Sequence, residues 1–426
     1  MKKKVDVNDL KLGMYVCKLD RPWRETPFLF QRFEITSDEQ LATIRQHCNY
    51  VYIDSDHAKL ADAQTRASRS PRRPRAEADQ DARPKPELRV VVEKATAPRP
   101  RQVYADRASL EQEVEVIRET HDQAMSLIYT IMEDVHLGKS IDTATAKRVV
   151  ANMAKSVLRN PDALICFTHL KKKDDYTALH CLRVSVLALV FGRHLGFDEE
   201  GLNHLGMGAL LHDIGKMQVP QEVLNKPGKL TEREFRIMKG HVPFGVGILG
   251  RTKGIPSRAV EVTRLHHERY GGTGYISNLK GDQISEFGLI GAIVDVYDAI
   301  TSDRVYQRGI SPLDALKKMY EWRNRDFHPM LVEQFIQCIG IFPIGSVVML
   351  NTKEIGVVRT MNRTQRLKPQ VVLVLKADRS RYGALRAVDL AQEQTPTGQP
   401  YEIAKVLPPG QFGIEPVDYL PVMASA

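Results

Sequence analysis

The octapeptide ALLHDIGK, residues 209–216, decides how the central part of the chain folds and what chemistry it carries. Its apolar helical pattern ends on His212 and Asp213, and Lys216 follows one turn later. A carboxylate in an apolar setting costs folding free energy unless a partner compensates its charge, and a divalent cation is the simplest such partner. The octapeptide therefore predicts a buried metal site at the end of a helix.

Further candidate ligands recur on both sides of this octapeptide, each within or at the end of an apolar helical pattern. Side chains placed in this way can all point into one shared interior. Histidine and aspartate suit iron, manganese, nickel or zinc, and six or seven ligands exceed what one ion needs, which favours a two-metal site. Any one of these histidines alone is more often a core or surface residue than a ligand, so the prediction depends on the ordered set. Beside His212 and Asp213, the candidates are His180, His241, His266, His267 and Asp295.

The hydrophobic pattern divides the 426 residues into four parts, one of which is a linker. Residues 1–57 alternate apolar and polar positions in short runs such as MYVCKL and YVYID, which predicts a small α/β domain. Residues 108–341 carry apolar positions at spacings of three and four, which predicts a helical domain. Residues 342–426 contain SVVMLN, IGVVRTM and QVVLVLK, which predict a small β-rich appendage packed on the helices. The predicted fold class is therefore mainly α.

The fourth part, residues 58–107, carries most of the formal net charge of +9, which raises the question of a nucleic-acid partner. From Lys59 to Arg101 there are 12 lysines and arginines against 6 aspartates and glutamates. Rich in proline, alanine and arginine, this stretch cannot bury enough apolar surface to offset its ordering entropy. We therefore expect a disordered basic linker and no specific nucleic-acid partner; contact with RNA or anionic lipid is the less favoured alternative.

The cysteine and hydropathy patterns favour a cytoplasmic protein without a membrane span. The five cysteines are scattered with no C-x-x-C pair, which suits reduced thiols better than disulfides or a zinc finger. No apolar run is long enough to cross a membrane, and the initial MKKK leads into VDVNDLK rather than into an apolar signal segment.

The ordered ligand set, together with HHERYGGTGY (266–275) and DVYDAITSDR (295–304), resembles the HD-GYP family, a branch of the HD-domain metal-dependent phosphohydrolases. The resemblance covers residues 164–316 and joins several motifs at once. It implies an HD-type helical bundle with the metal centre on its floor. It also implies hydrolysis of the bacterial messenger cyclic di-GMP to pGpG, GMP or both. The N-terminal domain resembles one that commonly precedes such modules in proteobacteria.

The resemblance also implies roles for individual residues. The seven candidates named above become ligands of two divalent transition-metal ions, with iron expected and manganese or nickel as alternatives. Asp213 would bridge the two ions and act in catalysis together with Lys216, which would reach the scissile phosphate. The implied substrate-binding residues are Lys216, Tyr275, Asp298, Arg304 and Arg308.

Several positions depart from the family pattern. Gly271 stands where members have an acidic residue and Ile276 where they have a proline, so a looser loop is expected after the paired histidines. Gln307 stands where members often have a cation, with Arg308 next to it as a substitute. Tyr176 takes the place of a glutamate that accompanies a third ion in some members, which favours two ions here.

These observations leave three hypotheses about function. The intact ligand set favours a cyclic di-GMP phosphodiesterase. The altered loop leaves open a weakly active or non-catalytic cyclic di-GMP sensor or scaffold that interacts with diguanylate cyclases or an adaptor protein. The long match through DVYDAITSDR argues against a different HD phosphohydrolase acting on another nucleotide. A homodimer is a further expectation.

Overall fold

The computed structural model describes residues 2–20, 33–35, 38–54, 102–168, 176–226, 228–302, 309–408 and 410–420. The chain divides into two compact units, residues 1–90 and 91–426. The predicted linker, residues 58–107, lies outside the described residues as far as residue 101. Among the described helices, none combines the length and the apolar character needed to cross a bilayer.

The first unit contains a small antiparallel sheet and a helix, as the alternating pattern predicts. Buried aliphatic side chains, among them Val16, Ile44 and Val51, fill its core. The sequence pattern misses the first strand, KKKVD, because an edge strand needs no strict alternation of apolar residues. The elements are β1 (Lys2–Asp6), β2 (Tyr15–Leu19), β3 (Phe33–Glu34), α1 (Asp38–His47) and β4 (Tyr50–Asp54), with the strands in the order β1-β4-β2-β3.

In the second unit, the described residues between Leu110 and Ile339 are mainly helical, which confirms the predicted mainly α class. Its first helix begins with a capping box, in which the Ser109 hydroxyl and the Gln112 side chain each accept from the other residue's backbone N–H. The helices are α2 (Leu110–His136), α3 (Thr143–Arg159), α4 (Pro161–Thr168), α5 (Tyr176–His194), α6 (Glu199–Leu211), α7 (Gln221–Leu224), α8 (Glu232–Lys239), α9 (His241–Arg251), α10 (Ser257–Leu265), α11 (Glu286–Thr301), α12 (Pro312–Glu321) and α13 (Pro329–Ile339).

Four of these helices enclose the interior in which the candidate ligands lie. Helix α5 packs on α6, α6 on α10, α10 on α11, and α11 back on α5, so the four form a closed ring of contacts. Gly208 of α6 makes one of these contacts close, because a β-carbon there would meet the backbone of Ala259 on α10. Helix α5 is buried on nearly all sides, which explains why its sequence is apolar around the whole circumference.

A five-stranded antiparallel sheet follows the helices within the same compact unit. The three strands predicted from sequence are its central ones, β5 (Val347–Leu350), β6 (Ile355–Thr360) and β7 (Gln370–Leu375). The two strands that the pattern misses, β8 (Arg381–Asp389) and β9 (Ile403–Leu407), lie at the edges in the order β8-β7-β6-β5-β9. Strand β8 is largely exposed and β9 is short and partly exposed, so neither shows the strict apolar alternation by which strands are identified.

The structure differs from the predicted linker at its last six residues, 102–107. There the Tyr104 hydroxyl donates to the carbonyl oxygen of Phe197 at 2.8 Å. Asp106 pairs with the buried Arg193 at 2.7 Å. These contacts attach residues 102–107 to the helical unit. The sequence carries no sign of them, because each one joins residues far apart in the chain.

Candidate metal centre

The predicted ligands come from five different helices or their ends, yet the structure brings them together. His180 lies within α5 and Asp295 within α11, whereas the others stand at helix termini. His212 follows the last residue of α6, His266 follows the last residue of α10, and His241 begins α9. Two groups have ligand atoms close enough to hold an ion, each with its atoms within 4.8 Å of one another. They are Asp213 with His241, His266 and His267, and Asp213 with His180 and His212.

Asp213 belongs to both groups, and its two carboxylate oxygens face different ones. Oδ1 lies 3.4 Å from Nε2 of His241 and 3.8 Å from Nε2 of His266. Oδ2 lies 3.3 Å from Nε2 of His212 and 3.6 Å from Nε2 of His180. Asp213 would therefore contribute one oxygen to each group if both groups held a cation.

Asp295 spans the same two groups from the opposite helix, α11. Its Oδ1 lies 3.1 Å from Nε2 of His180 and 3.8 Å from Nε2 of His212. Its Oδ2 lies 3.9 Å from Nδ1 of His267. All seven predicted ligands are therefore in one cluster, with a carboxylate on either side of it.

The imidazoles are oriented by hydrogen bonds from their outward nitrogens. Nδ1 of His212 donates to the carbonyl oxygen of Ala209, and Nδ1 of His241 donates to that of Met238. Nδ1 of His266 donates to the carbonyl oxygen of Thr263. A carbonyl oxygen only accepts, so these three rings carry their proton on Nδ1 and present the Nε2 lone pair to the cluster.

Two polar atoms at the middle of the cluster fit a metal ion because they lack any other partner. Nε2 of His212 and Oδ1 of Asp213 are buried, and neither makes a hydrogen bond to another described residue. Buried polar atoms without partners are costly, and a ligated cation would satisfy both. Buried imidazole and carboxylate donors without a thiolate suit a first-row divalent metal.

The pKa shifts of Asp213, His266 and His267 put these side chains in the protonation states that bind a cation. Burial works to raise the pKa of Asp213, but the neighbouring positive charges, above all that of Lys216, outweigh it and hold the pKa well below the usual range. Burial lowers the pKa of His267 to about 3 and holds that of His266 well below its usual value. At neutral pH the carboxylate is therefore ionised and these rings are neutral, which are the forms that bind metals.

His180 has a different environment from the other histidines. Burial works to lower its pKa, but hydrogen bonds to Asp295 and Asp298 outweigh this and raise the pKa to about 9. Its Nδ1 donates to Oδ2 of Asp298 at 2.7 Å. Asp298 also accepts from the hydroxyl of Ser302, which in turn accepts from Arg183. Asp298 is buried behind the ligand, so its position favours orienting His180 over the predicted contact with substrate.

Lys216 lies at the rim of the cluster, on the short 3₁₀ helix that follows the HD pair. Its Nζ is 2.5 Å from Oδ2 of Asp213, and 22% of its side chain is exposed. Burial works to lower the pKa of Lys216, but Asp213 outweighs it and raises the pKa, so the ammonium is charged at neutral pH. A cation is thus fixed beside the carboxylate that the two ligand groups share, and it is open to solvent on one side.

Gly215, two residues after the HD pair, lies where the backbone of another segment comes very close. A β-carbon at this position would overlap the carbonyl oxygen of His241 and approach the backbone nitrogen of Gly245. The absence of a side chain lets the 3₁₀ helix lie directly against the start of α9. That contact brings His241 next to Asp213.

The loop after the paired histidines, expected to be looser because of Gly271 and Ile276, carries polar and ring contacts that restrain it. Buried Glu268, which the sequence reasoning missed, accepts from the backbone N–H groups of Ser277 and Leu279 at 2.7 and 2.9 Å. The ring of Tyr275 stacks on His267, with centroids 4.6 Å apart. The polar restraint on this loop comes from a buried carboxylate rather than from a proline ring.

Two of the predicted substrate-binding residues, Arg304 and Arg308, lie outside the described residues, as does Gln307. The same segment, 303–308, directly follows the end of α11, which carries Asp295. Tyr176 begins α5. The predicted substrate-binding residues that the structure does describe are Lys216, Tyr275 and Asp298.

Comparison with protein-family models gives two matches. The model described as "HD domain" matches residues 150–331, which include all seven candidate ligands. The model described as "Domain of unknown function (DUF3391)" matches residues 2–146, from the first strand to the start of α3. The two matches together span most of the chain.

Comparison with individual proteins gives relatives that are named phosphodiesterases. The chain is 34% identical to "Cyclic di-GMP phosphodiesterase PA4108" of Pseudomonas aeruginosa, over 88% of this chain and 86% of the relative. It is 32% identical to "3'3'-cGAMP-specific phosphodiesterase 2" of Vibrio cholerae, over 45% of this chain and 35% of that protein. Among solved structures, an HDG"Y"P protein from Bdellovibrio bacteriovorus covers 79% of this chain, and the chain covers 98% of it, with a TM-score of 0.44 and 15% identity. By the first relative and the HD-domain match, the chain belongs to the HD-GYP family of HD-domain metal-dependent phosphohydrolases.

Proposed function

We propose that the chain is a phosphodiesterase that hydrolyses cyclic di-GMP to linear pGpG, to GMP or to both. The observation that carries this proposal is the complete ligand cluster around Asp213, with the ammonium of Lys216 at its solvent-facing rim. The relative with 34% identity over 88% of this chain bears the name of a cyclic di-GMP phosphodiesterase, which supports the choice of substrate.

The proposed cofactor is a pair of divalent ions, with iron expected and manganese or nickel as alternatives. Two ligand groups that share Asp213 support a count of two. The second carboxylate, Asp295, also faces both groups, so each ion would have two anionic oxygens nearby. Imidazole and carboxylate donors suit all three metals.

Bound divalent ions would supply Lewis acidity, which acidifies a water molecule and offsets the negative charge of the phosphodiester. Asp213 and Asp295, together with the five histidines, would hold the ions. The water oxygen would bond to phosphorus as the bond from phosphorus to the 3′ oxygen breaks. One proton of the water would pass to the departing 3′ oxygen, and the other would be lost to solvent. Lys216 would place its positive charge beside the phosphate oxygens, where negative charge increases in the transition state.

Tyr275, Arg304 and Arg308 are proposed to hold the nucleotide. Tyr275 stacks on the candidate ligand His267, so its ring is fixed at the mouth of the centre and is available to the substrate. Asp298 is proposed to orient His180, on the ground of their 2.7 Å hydrogen bond.

We also propose that the protein works in the cytoplasm. Cys166, Cys181 and Cys338 are free and buried, which suits a reducing compartment. A homodimer stays a prediction from sequence.

The test is product analysis with metal-loaded protein. The protein would be reconstituted with Fe(II) or Mn(II) under reducing conditions and incubated with cyclic di-GMP and, in parallel, with 3′3′-cGAMP, and the products would be separated by chromatography. We expect pGpG or GMP from cyclic di-GMP, and no product from a variant with both His212→Ala and Asp213→Ala.

Two other results would redirect the assignment. Binding of cyclic di-GMP by metal-loaded protein without any product would support the sensor or scaffold, and a diguanylate cyclase would then be the partner to test. Faster turnover of 3′3′-cGAMP than of cyclic di-GMP would contradict the proposed substrate.

A further inference from the structure

Helix α8 exposes an aromatic ring next to the mouth of the metal centre. None of its residues is buried, and Phe235 is 44% exposed. The Phe235 ring meets the ring of Tyr275 edge to face, with centroids 6.0 Å apart. Tyr275 in turn stacks on His267. An uninterrupted series of rings therefore leads from a candidate metal ligand to solvent.

Lys239 lies over the outer part of this series, one turn along the same helix. Its Nζ is 5.0 Å from the centroid of the Phe235 ring and 5.6 Å from that of Tyr275. Among the residues that the structure describes, no carboxylate lies within ion-pair distance of this ammonium. An aromatic face and an unpaired cation thus stand side by side outside the centre.

The start of α8 is held by polar contacts that do not involve Phe235. The helix begins with a capping box between Thr231 and Glu234, and Lys226 pairs with Glu234 at 2.6 Å. The exposed part of the Phe235 ring is available to bind a ligand.

We propose that Phe235 and Lys239 form a guanine subsite, which binds one base of the dinucleotide while its phosphate is at the metal centre. This inference rests on the proposed function and names the part of the chain that recognises the base. The purine would stack on the exposed face of Phe235, as bases stack on aromatic side chains in single-strand binding proteins.

The chemistry of Lys239 favours guanine over adenine at this subsite. Guanine presents two acceptors, O6 and N7, on the edge where adenine presents one acceptor and an amino donor. An ammonium only donates, so it matches guanine and opposes the adenine amino group. The four-carbon stem of lysine lets Nζ reach from its place over the rings to the edge of a stacked base.

The first test is Phe235→Ala in the full-length, metal-loaded protein. Loss of the stacking surface should raise KM for cyclic di-GMP roughly ten-fold. The metal content and the circular dichroism spectrum should be unchanged. Phe412→Ala is the matched control, because Phe412 is exposed to a similar degree but packs on Arg379 beside the C-terminal sheet.

The second test is Lys239→Met, with cyclic di-AMP as a competitive inhibitor. In the wild type, the inhibition constant of cyclic di-AMP should exceed KM for cyclic di-GMP. In Lys239→Met the ratio of the cyclic di-AMP inhibition constant to KM for cyclic di-GMP should fall. The loss of one base contact predicts a fall of roughly five-fold or more. Lys253→Met, which removes an exposed lysine from the turn after α9, should leave the ratio unchanged.

The outcomes distinguish failure of the guanine subsite from failure of the proposed phosphodiesterase activity. A wild type that hydrolyses cyclic di-GMP, with KM unaltered in Phe235→Ala and the ratio unaltered in Lys239→Met, would overturn the subsite and leave the activity standing. A wild type that binds cyclic di-GMP without hydrolysing it would overturn the activity, and the dissociation constants of the variants would then decide the subsite. A wild type that does neither would overturn both.

Discussion

The buried cluster around Asp213 and the exposed mouth at Tyr275, Phe235 and Lys239 are built in opposite ways. In the cluster, imidazoles are held by hydrogen bonds from Nδ1 to a backbone carbonyl oxygen or to a carboxylate. At the mouth, rings and an ammonium contact one another at the surface with few polar restraints. Metal chemistry needs donors fixed to within fractions of an ångström, whereas base recognition tolerates side chains that adjust. Substitutions in the two regions should therefore have different effects.

The largest effect is expected from Asp213→Ala. Both ligand groups lose the carboxylate that they share, and of the two candidate carboxylate ligands Asp295 alone remains, so the anionic charge available to a cation falls. Bound metal should fall to background and hydrolysis with it, whereas circular dichroism should show the helices retained. Metal analysis of the purified variant is the measurement. A variant that retained its metal would show that Asp213 does not bridge the ions.

Gly215→Ala should disturb the cluster without removing a ligand. The added methyl group would overlap the carbonyl oxygen of His241, so α9 must move and carry that ligand away. Overpacking of this kind costs about 1–3 kcal/mol of folding free energy, and metal affinity should fall with it. Gly250→Ala is the control, because a β-carbon there meets no atom within 4 Å. Thermal melting and metal titration of both variants would check this; equal behaviour would refute the close-approach argument.

Asp298→Asn should have an intermediate effect. The amide oxygen still accepts from His180, but the negative charge that supports this ring is lost. Removal of such an outer partner typically costs about 10–100-fold in metal affinity. Ser302→Ala, one hydrogen bond further out, should cost less. Were Asp298→Asn to raise KM with full metal retention, the substrate-binding role predicted from sequence would be restored.

The seven candidate ligands could be named from the sequence because together they form an ordered set that resembles a family pattern. HD and HH pairs, a glycine and a lysine can be identified from the amino-acid sequence alone. Asp298 was predicted to bind substrate, and its hydrogen bond to His180 was not predicted, because no motif shows which side chain stands behind a ligand. Glu268 stands beside the paired histidines in HHE, but its role depends on backbone N–H groups nine and eleven residues later. Adjacency to the ligands was the only sequence signal for it.

The elements of the fold also differ in whether the sequence predicted them. Central strands β5–β7 and the long helices carry apolar periodicity, since they bury a face, and they were predicted. Edge strands β1, β8 and β9 carry little apolar periodicity and were missed. The attachment of residues 102–107 depends on contacts such as Asp106 to Arg193, which composition does not reveal.

Glu268→Ala should affect the mouth more than the cluster. The backbone N–H groups of Ser277 and Leu279 would lose their acceptor, so the loop that carries Tyr275 would be freed. We expect KM for cyclic di-GMP to rise a few-fold with metal content nearly unchanged. Glu268→Gln retains an acceptor and should restore much of the loss. If the metal content fell as KM for cyclic di-GMP rose, Glu268 would support the metal cluster as well as the loop, which would contradict this prediction.

The smallest effect is expected from shortening the predicted linker. Deletion of residues 60–95 should leave turnover of cyclic di-GMP at saturating substrate nearly unchanged, because a tether contributes no group to the centre. Steady-state assays of the shortened and full-length proteins would check this. A large fall in turnover would assign the segment a structural or catalytic role.

The arrangement of metal ions around Asp213 is the most direct test of the proposed centre. Anomalous X-ray diffraction from crystals of the iron-loaded protein would locate each ion. We predict two peaks, one between Oδ1 of Asp213 and His241, His266 and His267, and the other between Oδ2 and His180 and His212. A single peak, or peaks that do not contact Asp213, would contradict the central claim.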